Sequence, residues 1–498
     1  MNPLKRLAGE TAIYGISSIV GRVLNYLLVP LYTTVFQAGE YGVITKLYAY
    51  AAFLNIVYTY GMETAFFRFA SKGDVRSTYQ QCSSIILLTS TIFSVALILG
   101  AQSISDYLGI PHQKHLVQFL AGILFIDAVS AIPFARLRLE NKALTFAMAR
   151  IGAIIFTISL NLIFLWLPHL IYHKGLLRSL EPVVTQFINP EFGIGYVFLS
   201  NLLGNALILF ILGKYFFQIV PGFSWQKIRP LLLYGLPLFL MGLAGIANEQ
   251  ADKLMIPALL PENFYPGKTS LEALGIYGAS FKLSIFMLLA IQAFRYAGEP
   301  FFFSNADKKD APELFAKVMY YFVVVCVFIL LSVSLNVDIL GKIFLRQASY
   351  REALYLVPIL LFGKLLFGIY INLSVWFKLV DKTLAGTYIS ILGALITLAV
   401  NWLLIPLIGY TGSAITSVIC YGIMSLICWL WGKKYFPIPY RWGSILGHLV
   451  MGMTLIYTIE VLRPESDLVN FMINTLIPLA YLLVTVVLEK WNLNQKIT

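Results

Sequence analysis

Residues 41–67 read YGVITKLYAYAAFLNIVYTYGMETAFF, and residues 277–303 read YGASFKLSIFMLLAIQAFRYAGEPFFF. Laid over one another without a gap, they share Tyr41 with Tyr277, Gly42 with Gly278, Lys46 with Lys282 and Leu47 with Leu283. Tyr60 with Tyr296, Glu63 with Glu299, Phe66 with Phe302 and Phe67 with Phe303 follow, every pair 236 residues apart. Eight identities in 27 positions exceed what an apolar composition readily gives by chance. The remaining positions are mostly apolar, so the expectation is two copies of one membrane helix, each with a lysine near one end and a glutamate near the other. A charge in the hydrocarbon region costs about 2.5–3.5 kcal/mol on insertion scales. A lysine near a helix end can snorkel to the interface and only stabilise that end. Snorkelling explains the same lysine at the same register twice less readily than use does.

The whole chain shares this character. Of its 498 residues 59% are hydrophobic and 12% charged, with a mean hydropathy of +0.79. Apolar runs long enough to span a bilayer as helices recur at about 10–34, 41–69, 79–100, 116–136, 145–167, 192–217 and 229–259. They continue at about 272–300, 312–337, 351–377, 384–405, 409–432, 441–462 and 470–488. That is fourteen predicted helices and an all-α integral membrane protein; the alternation of a membrane β-barrel is absent. The first run is full length and lacks a small-residue cleavage site, so it is expected to stay in the membrane. Cys82, Cys326, Cys420 and Cys428 fall in or at the ends of spans and form no metal or disulfide pattern. His112 and His115 lack a third ligand in reach, so they read as solvated loop residues rather than a metal site.

The net charge of +12 points to membrane topology rather than nucleic acid. With both termini on the cytoplasmic side, 22 of the 36 Lys and Arg fall in inner loops and ends, 8 in outer loops and 6 inside spans. That is the asymmetry of the positive-inside rule. The inner set includes Lys5, Arg6, Lys490 and Lys496, and the outer set Arg463.

A second internal match extends the duplication. Arg138-Leu139, Lys142, Leu144 and Asn161 align with Lys378-Leu379, Lys382, Leu384 and Asn401 at a spacing of 240. The expected organisation is a six-helix bundle over 1–220, a second over 221–437 and two added helices over 438–498. An even number of spans per half inserts both halves the same way round and predicts a pseudo-two-fold axis along the membrane normal. Such halves enclose a cavity and support alternating access.

Intramembrane charges usually face such a cavity. Among the acids, Glu249 and Asp252 can neutralise Lys253, and Glu63 and Glu299 can pair with loop bases or staple helix to helix. Arg22, Lys46, Lys282, Arg295 and Lys364 then lack an obvious local partner, and unpaired buried cations call for an anion. Arginine offers a forked donor suited to phosphate. The expectation is a cationic cavity for a phosphate or pyrophosphate head group. Asp127, Asp252, Glu249, Glu63 and Glu299 are the acids that could carry a proton or Na⁺, with Asp252 first, although a structural salt bridge to Lys253 or Lys282 competes with that role.

The fourteen spans, Gly39-Glu40-Tyr41-Gly42 at the start of span 2, Gly61-Met62-Glu63-Thr64-Ala65-Phe66-Phe67-Arg68 at its exit and Gln250-Ala251-Asp252-Lys253 in span 7 carry a resemblance. The chain resembles the polysaccharide transporter family (Wzx-type O-antigen/oligosaccharide flippases) of the MOP, or MATE-like, superfamily. The resemblance implies translocation of an undecaprenyl-pyrophosphate-linked oligosaccharide to the outer leaflet of a bacterial inner membrane for surface polysaccharide biosynthesis, including lipopolysaccharide O-antigen. It also implies other polysaccharide-assembly proteins as partners and no nucleic acid. Lipid II flippases of the superfamily hold pyrophosphate with basic residues in spans 1, 2 and 8, where Arg22, Lys46 and Lys282 stand here. Lysine replaces arginine at two of those places, which weakens bidentate contact.

Three alternatives compete with this reading. A lipid II flippase shares the fold and the anionic substrate. A multidrug exporter of the same fold mostly moves organic cations, for which unpaired bases have the wrong sign. An integral-membrane enzyme needs catalytic acids on sizeable outer loops, and the longest offers only Glu181 and Glu191. The chain has no G-x-x-x-x-G-K-[ST] loop, so it is expected to hydrolyse no nucleotide itself; no catalytic residue and no cofactor is expected.

Overall fold

The computed structural model describes residues 19–219, 222–462, 464 and 466–494. The first part of the first expected span and the bases Lys5, Arg6, Arg463 and Lys496 lie outside these residues, as does the side chain of Lys490. The described residues contain helices and no strands.

The helices that matter are α1 (Ile19–Val35), α2 (Ala38–Thr59), α3 (Met62–Ala70), α4 (Val75–Leu99) and α5 (Lys114–Leu139). They continue with α6 (Ala143–Lys174), α7 (Gly195–Ile211), α8 (Trp225–Leu259), α9 (Ser270–Lys282) and α10 (Ile285–Asn305). The last are α11 (Ala311–Leu335), α12 (Ala348–Leu379), α13 (Thr383–Ile408), α14 (Tyr410–Tyr435), α15 (Trp442–Val461) and α16 (Leu468–Glu489). Ten are long and apolar enough to cross a membrane, and α9 with α10 makes an eleventh, bent by 47°. The shorter apolar helices α1 and α7 and the 22-residue α2 bring the set to about fourteen, one for each apolar run in the sequence. The protein is a multi-pass membrane protein. The long loop between α6 and α7 holds a short helix, Glu181–Phe187, flanked by single turns.

The chain divides into two compact units, Met1–Leu254 and Met255–Thr498, the division falling within α8. In the first unit α5 is the central helix, packed against α2, α4 and α7. Phe134, Leu137, Phe146, Ala149, Ile208 and Tyr215 close a core between α5, α6 and α7. In the second unit α12 packs on α14 and α11 on α15. Lipid tails are as apolar as leucine, so helices in a membrane associate through close packing of small residues. Gly204 of α7 shows this: a Cβ there would stand 1.9 Å from Thr157 Oγ1 of α6.

Neither copy of the repeated stretch is the single unbroken helix that its sequence suggests, and the two break in different places. The first breaks between α2 and α3, where Tyr60 (φ 31°) and Gly61 (φ 78°) take left-handed backbone. Glycine adopts that conformation at little cost. It also lets α8 approach, since a Cβ on Gly61 would lie 2.7 Å from the Gly235 carbonyl oxygen. The matching residues in the second copy, Tyr296 and Ala297, offer no such glycine, and α10 runs through them. The second copy instead breaks at Leu283-Ser284, where the Ser284 hydroxyl donates to the Phe281 carbonyl at 2.7 Å. Serine competes for backbone acceptors in this way, and the matching Tyr48 does not.

The second internal match folds alike in both units. Asn141 (φ 56°) and Asp381 (φ 54°), 240 residues apart, both take left-handed backbone, which short polar side chains tolerate best after glycine. Each turn is closed by the next amide: Lys142 N–H donates to Leu137 O at 2.8 Å and Lys382 N–H to Phe377 O at 2.8 Å.

Candidate functional site

The repeated glutamates meet the repeated bases. Glu63 of α3 forms an ion pair with Arg138 at the end of α5. In the second unit Glu299 of α10 pairs with Lys378 at the end of α12. One helix-to-helix staple therefore occurs twice, with arginine in one unit and lysine in the other. Beside it, Tyr215 closes α7 under Arg136 and Lys142, whose charged groups lie 5.5 and 5.6 Å from its ring centroid. Tyr435 closes α14 between Trp376, stacked at 5.5 Å, and Lys382 at 3.7 Å.

The five cations expected without local partners separate into distinct environments. Arg295 does have one: its Nε lies 3.6 Å from Glu299 Oε1, one turn along α10. Sequence spacing of four on a helix carries that signal. The Lys46 ammonium donates to the Leu108 carbonyl at 3.1 Å and so ties α2 to the loop before α5. Lys364 is buried in α12, with its ammonium 4.9 Å from the centre of the Phe281 ring. Arg22 and Lys282 are exposed; Arg22 has no ion pair among the described residues.

Asp252 and Lys253 are both buried in α8. The Lys253 ammonium bonds the Asp252 carboxylate at 3.2 Å and the Glu249 carbonyl at 3.0 Å. The Glu249 contact is to its backbone, so its half-buried carboxylate is not the one held by Lys253.

Asp127 lies in a polar track through the first unit. Asn205 donates to its carboxylate at 2.9 Å. One turn earlier Asn201 donates to the Tyr48 hydroxyl at 2.7 Å, and the Tyr32 hydroxyl donates to Asn161 at 3.0 Å. The Arg150 guanidinium of α6 lies 4.3 Å over the Phe134 ring. Arg150, Asn201 and Asn205 are functional candidates that sequence reasoning missed. Asn201 and Asn205, four apart in an apolar run, were a usable signal; Arg150 was hidden by its assignment to an inner loop.

Asn161 and Asn401 repeat one further device. Asn161 donates to the Thr157 carbonyl at 2.8 Å and Asn401 to the Thr397 carbonyl at 2.9 Å. Ser413 then donates to Asn401 at 2.9 Å. Among the described residues no three His, Cys, Asp or Glu side chains group as a metal site. His115 stacks on Phe192 at 5.0 Å, and the four cysteines are free and buried.

Residues 35–171 match the sequence model of the family described as "Polysaccharide biosynthesis protein". No curated protein matches the chain. Among solved structures, lipid II flippase MurJ in its inward closed conformation has a TM-score of 0.73 at 15% identity, over 97% of this chain and 99% of that one. An inward-facing multidrug resistance MATE transporter of the MOP superfamily has a TM-score of 0.61 at 15% identity, over 83% and 94%. A point mutant of the Vibrio cholerae MATE transporter VcmN has a TM-score of 0.54 at 14% identity, over 86% and 96%. The chain shares its fold with these lipid II flippase and MATE transporter structures.

Proposed function

We propose that this protein is a flippase that moves an undecaprenyl-pyrophosphate-linked oligosaccharide across a bacterial inner membrane by alternating access, for surface polysaccharide assembly. The observation that carries the reading is the polysaccharide-biosynthesis match over residues 35–171, on a chain whose fold follows lipid II flippase MurJ over 97% of its length. Both termini lie on the cytoplasmic side, and the partners are the lipid-linked glycan, membrane lipids and other assembly proteins.

Of the five cations, Arg22 and Lys282, both exposed, are our first candidates for pyrophosphate contact. Lys46, whose ammonium donates to the Leu108 carbonyl, is the third candidate for a head-group contact. Lys364 acts on Phe281, next to Lys282, and Arg295 belongs to the Glu299 staple. Asp127 and Asp252 are the carboxylates for H⁺ or Na⁺ coupling. A lipid II substrate is the second reading, favoured by the fold match to MurJ; it differs in the glycan and not in the head-group chemistry.

The test is export of surface polysaccharide in a deletion strain, complemented with wild type or with Arg22→Ala, Lys282→Ala at equal expression. Lipid-linked oligosaccharide accumulating inside, with rescue by wild type alone, supports the assignment. Unchanged polysaccharide with altered drug sensitivity moves the protein to the exporters. Accumulation of lipid II moves it to the second reading.

A further inference from the structure

Where α11 ends, it meets the first turns of α16 through two asparagines that brace one another. The Asn336 side-chain N–H group donates to the Ser332 carbonyl at 3.0 Å and to the Asn474 backbone carbonyl at 3.2 Å. The Asn474 side-chain N–H group donates to the Leu335 carbonyl at 2.6 Å. A backbone carbonyl only accepts, so these bonds fix which end of each side chain is nitrogen. The two Oδ1 atoms are buried, and no hydrogen bond reaches either of them among the described residues. Buried acceptors in proteins are nearly always satisfied. Both residues line a cavity of about 150 Å³. Asn470, one turn before Asn474 on the same face of α16, lines it too; at 8% and 7% exposure the two lie in the protein interior. Asp338, in the first turn of the short helix Val337–Phe344, brings a carboxylate to the cavity. Lys342, one turn further along that helix and exposed, stands at its rim.

We propose that this cavity is a calcium site, with Asn336 Oδ1, Asn474 Oδ1, the Asp338 carboxylate and the Asn470 amide as its protein ligands. Ca²⁺ takes about six to eight oxygens from carboxylates, amide carbonyls and water at about 2.3–2.6 Å. These four side chains leave the remaining positions to water, and a cavity of about 150 Å³ has room for it, since a water occupies about 30 Å³ of liquid. The same atoms select the occupant. An anion would face two acceptors and a carboxylate. Zinc and copper favour imidazole or thiolate, and no His or Cys lines the cavity. Mg²⁺ demands near-ideal octahedral geometry and keeps its own waters. A monovalent ion gains half the Coulomb attraction to the carboxylate. With one carboxylate for it and Lys342 against it, the site falls in the weak class of extracellular calcium modules. Bound there, the ion ties the end of α11, the helix Val337–Phe344 and α16 at one point. None of its ligands is assigned above to the transported substrate or to coupling, so the site does not rest on that assignment.

Thermal unfolding of the full-length protein in a non-ionic detergent, titrated with CaCl₂ from an EGTA-treated start, tests the proposal. The melting temperature should rise with calcium, half-maximally at about 0.1–1 mM. MgCl₂ at the same concentrations, and NaCl at matched ionic strength, should leave it unchanged. Asp338→Asn removes the charge with little change of shape and should raise the half-maximal concentration by about tenfold or more. Lys342→Ala should lower it by roughly fivefold, the worth of one nearby surface charge. Asn474→Leu should abolish the calcium response, read as the difference between CaCl₂ and EGTA within that variant. That comparison separates the response from the loss of the Leu335 bond. If Asn474→Leu fails to fold, the Asp338→Asn and Lys342→Ala titrations decide, because they must move in opposite directions. No rise with calcium in the wild type, an equal rise with MgCl₂ or NaCl, or an unchanged half-maximal concentration in Asp338→Asn overturns the proposal.

Discussion

Glu299 sits between two cations, and the geometry ranks what each substitution costs. Lys378 makes the direct pair, while Arg295 lies 3.6 Å away on the same helix. Both side chains of the direct pair are about one-third exposed or more, so solvent limits the pair to about 0.5–1 kcal/mol. Lys378→Ala leaves Glu299 with Arg295 and is expected to cost less than Glu299→Ala, which leaves two cations facing one another. The charge reversal Glu299→Lys with Lys378→Glu should recover part of the loss of either single reversal. A double-mutant cycle on thermal unfolding in detergent measures this; additive effects would remove the staple. The partnership was half legible in the sequence. Both residues stood out through the two internal matches, but those matches have different spacings and do not say that Glu63 meets Arg138 or Glu299 meets Lys378. Asp127 with Asn205 shows the same limit. A carboxylate in an apolar run announces itself, while its amide partner 78 residues later in the chain does not.

At the scale of the element, the break between α2 and α3 depends on one residue. Gly61→Ala places a methyl group 2.7 Å from the Gly235 carbonyl oxygen at a φ of 78°. Strain of this kind costs about 1–3 kcal/mol, so the variant should melt well below wild type. Ala297→Gly, at the matching place in the unbroken α10, should cost about 1 kcal/mol through helix propensity alone. Equal losses in the two variants would mean that the break imposes no special backbone. The turn after α5 gives a pH dependence. Burial alone would raise the Glu140 carboxyl, but hydrogen bonds from Lys142 and Arg136 outweigh it and hold the group below the usual carboxylate range. A carboxylate depressed in the folded state stabilises above its unfolded value and loses that contribution as pH falls through the folded one. Hydrogen exchange at residues 140–142 should therefore become relatively less protected below about pH 4. Glu140→Gln should remove that step, and its persistence in the variant would assign it elsewhere. Span positions were legible because 20 apolar residues leave little else to form. The breaks were not, because each comes from one local residue, Gly61 or Ser284, that its repeat partner lacks.

For the whole molecule, transport direction depends on which ends of the helices face the cytoplasm. The positive-inside count depends on loops carrying clusters such as Arg68, Lys72 and Arg76, and the structure places all three at or beyond the ends of α3 and α4. It also places Lys174 at the end of α6 and Lys268 in the connection between α8 and α9, the other ends of their helices. Because the four native cysteines are buried, single cysteines placed in the connections and at helix ends can report the orientation. Lys72→Cys and Lys308→Cys should react with a membrane-impermeant maleimide only after the cells are permeabilised. Lys174→Cys and Lys268→Cys should react in intact cells. The pattern should survive a background in which Cys82, Cys326, Cys420 and Cys428 are all replaced by serine. Reversed labelling at all four sites would place both termini outside, and a flippase working from the cytoplasmic leaflet would then present its Glu63–Arg138 and Glu299–Lys378 staples to the wrong side. Mixed labelling, with one pair reversed, would break the expectation that the two repeats insert the same way round, on which a shared alternating-access cycle depends.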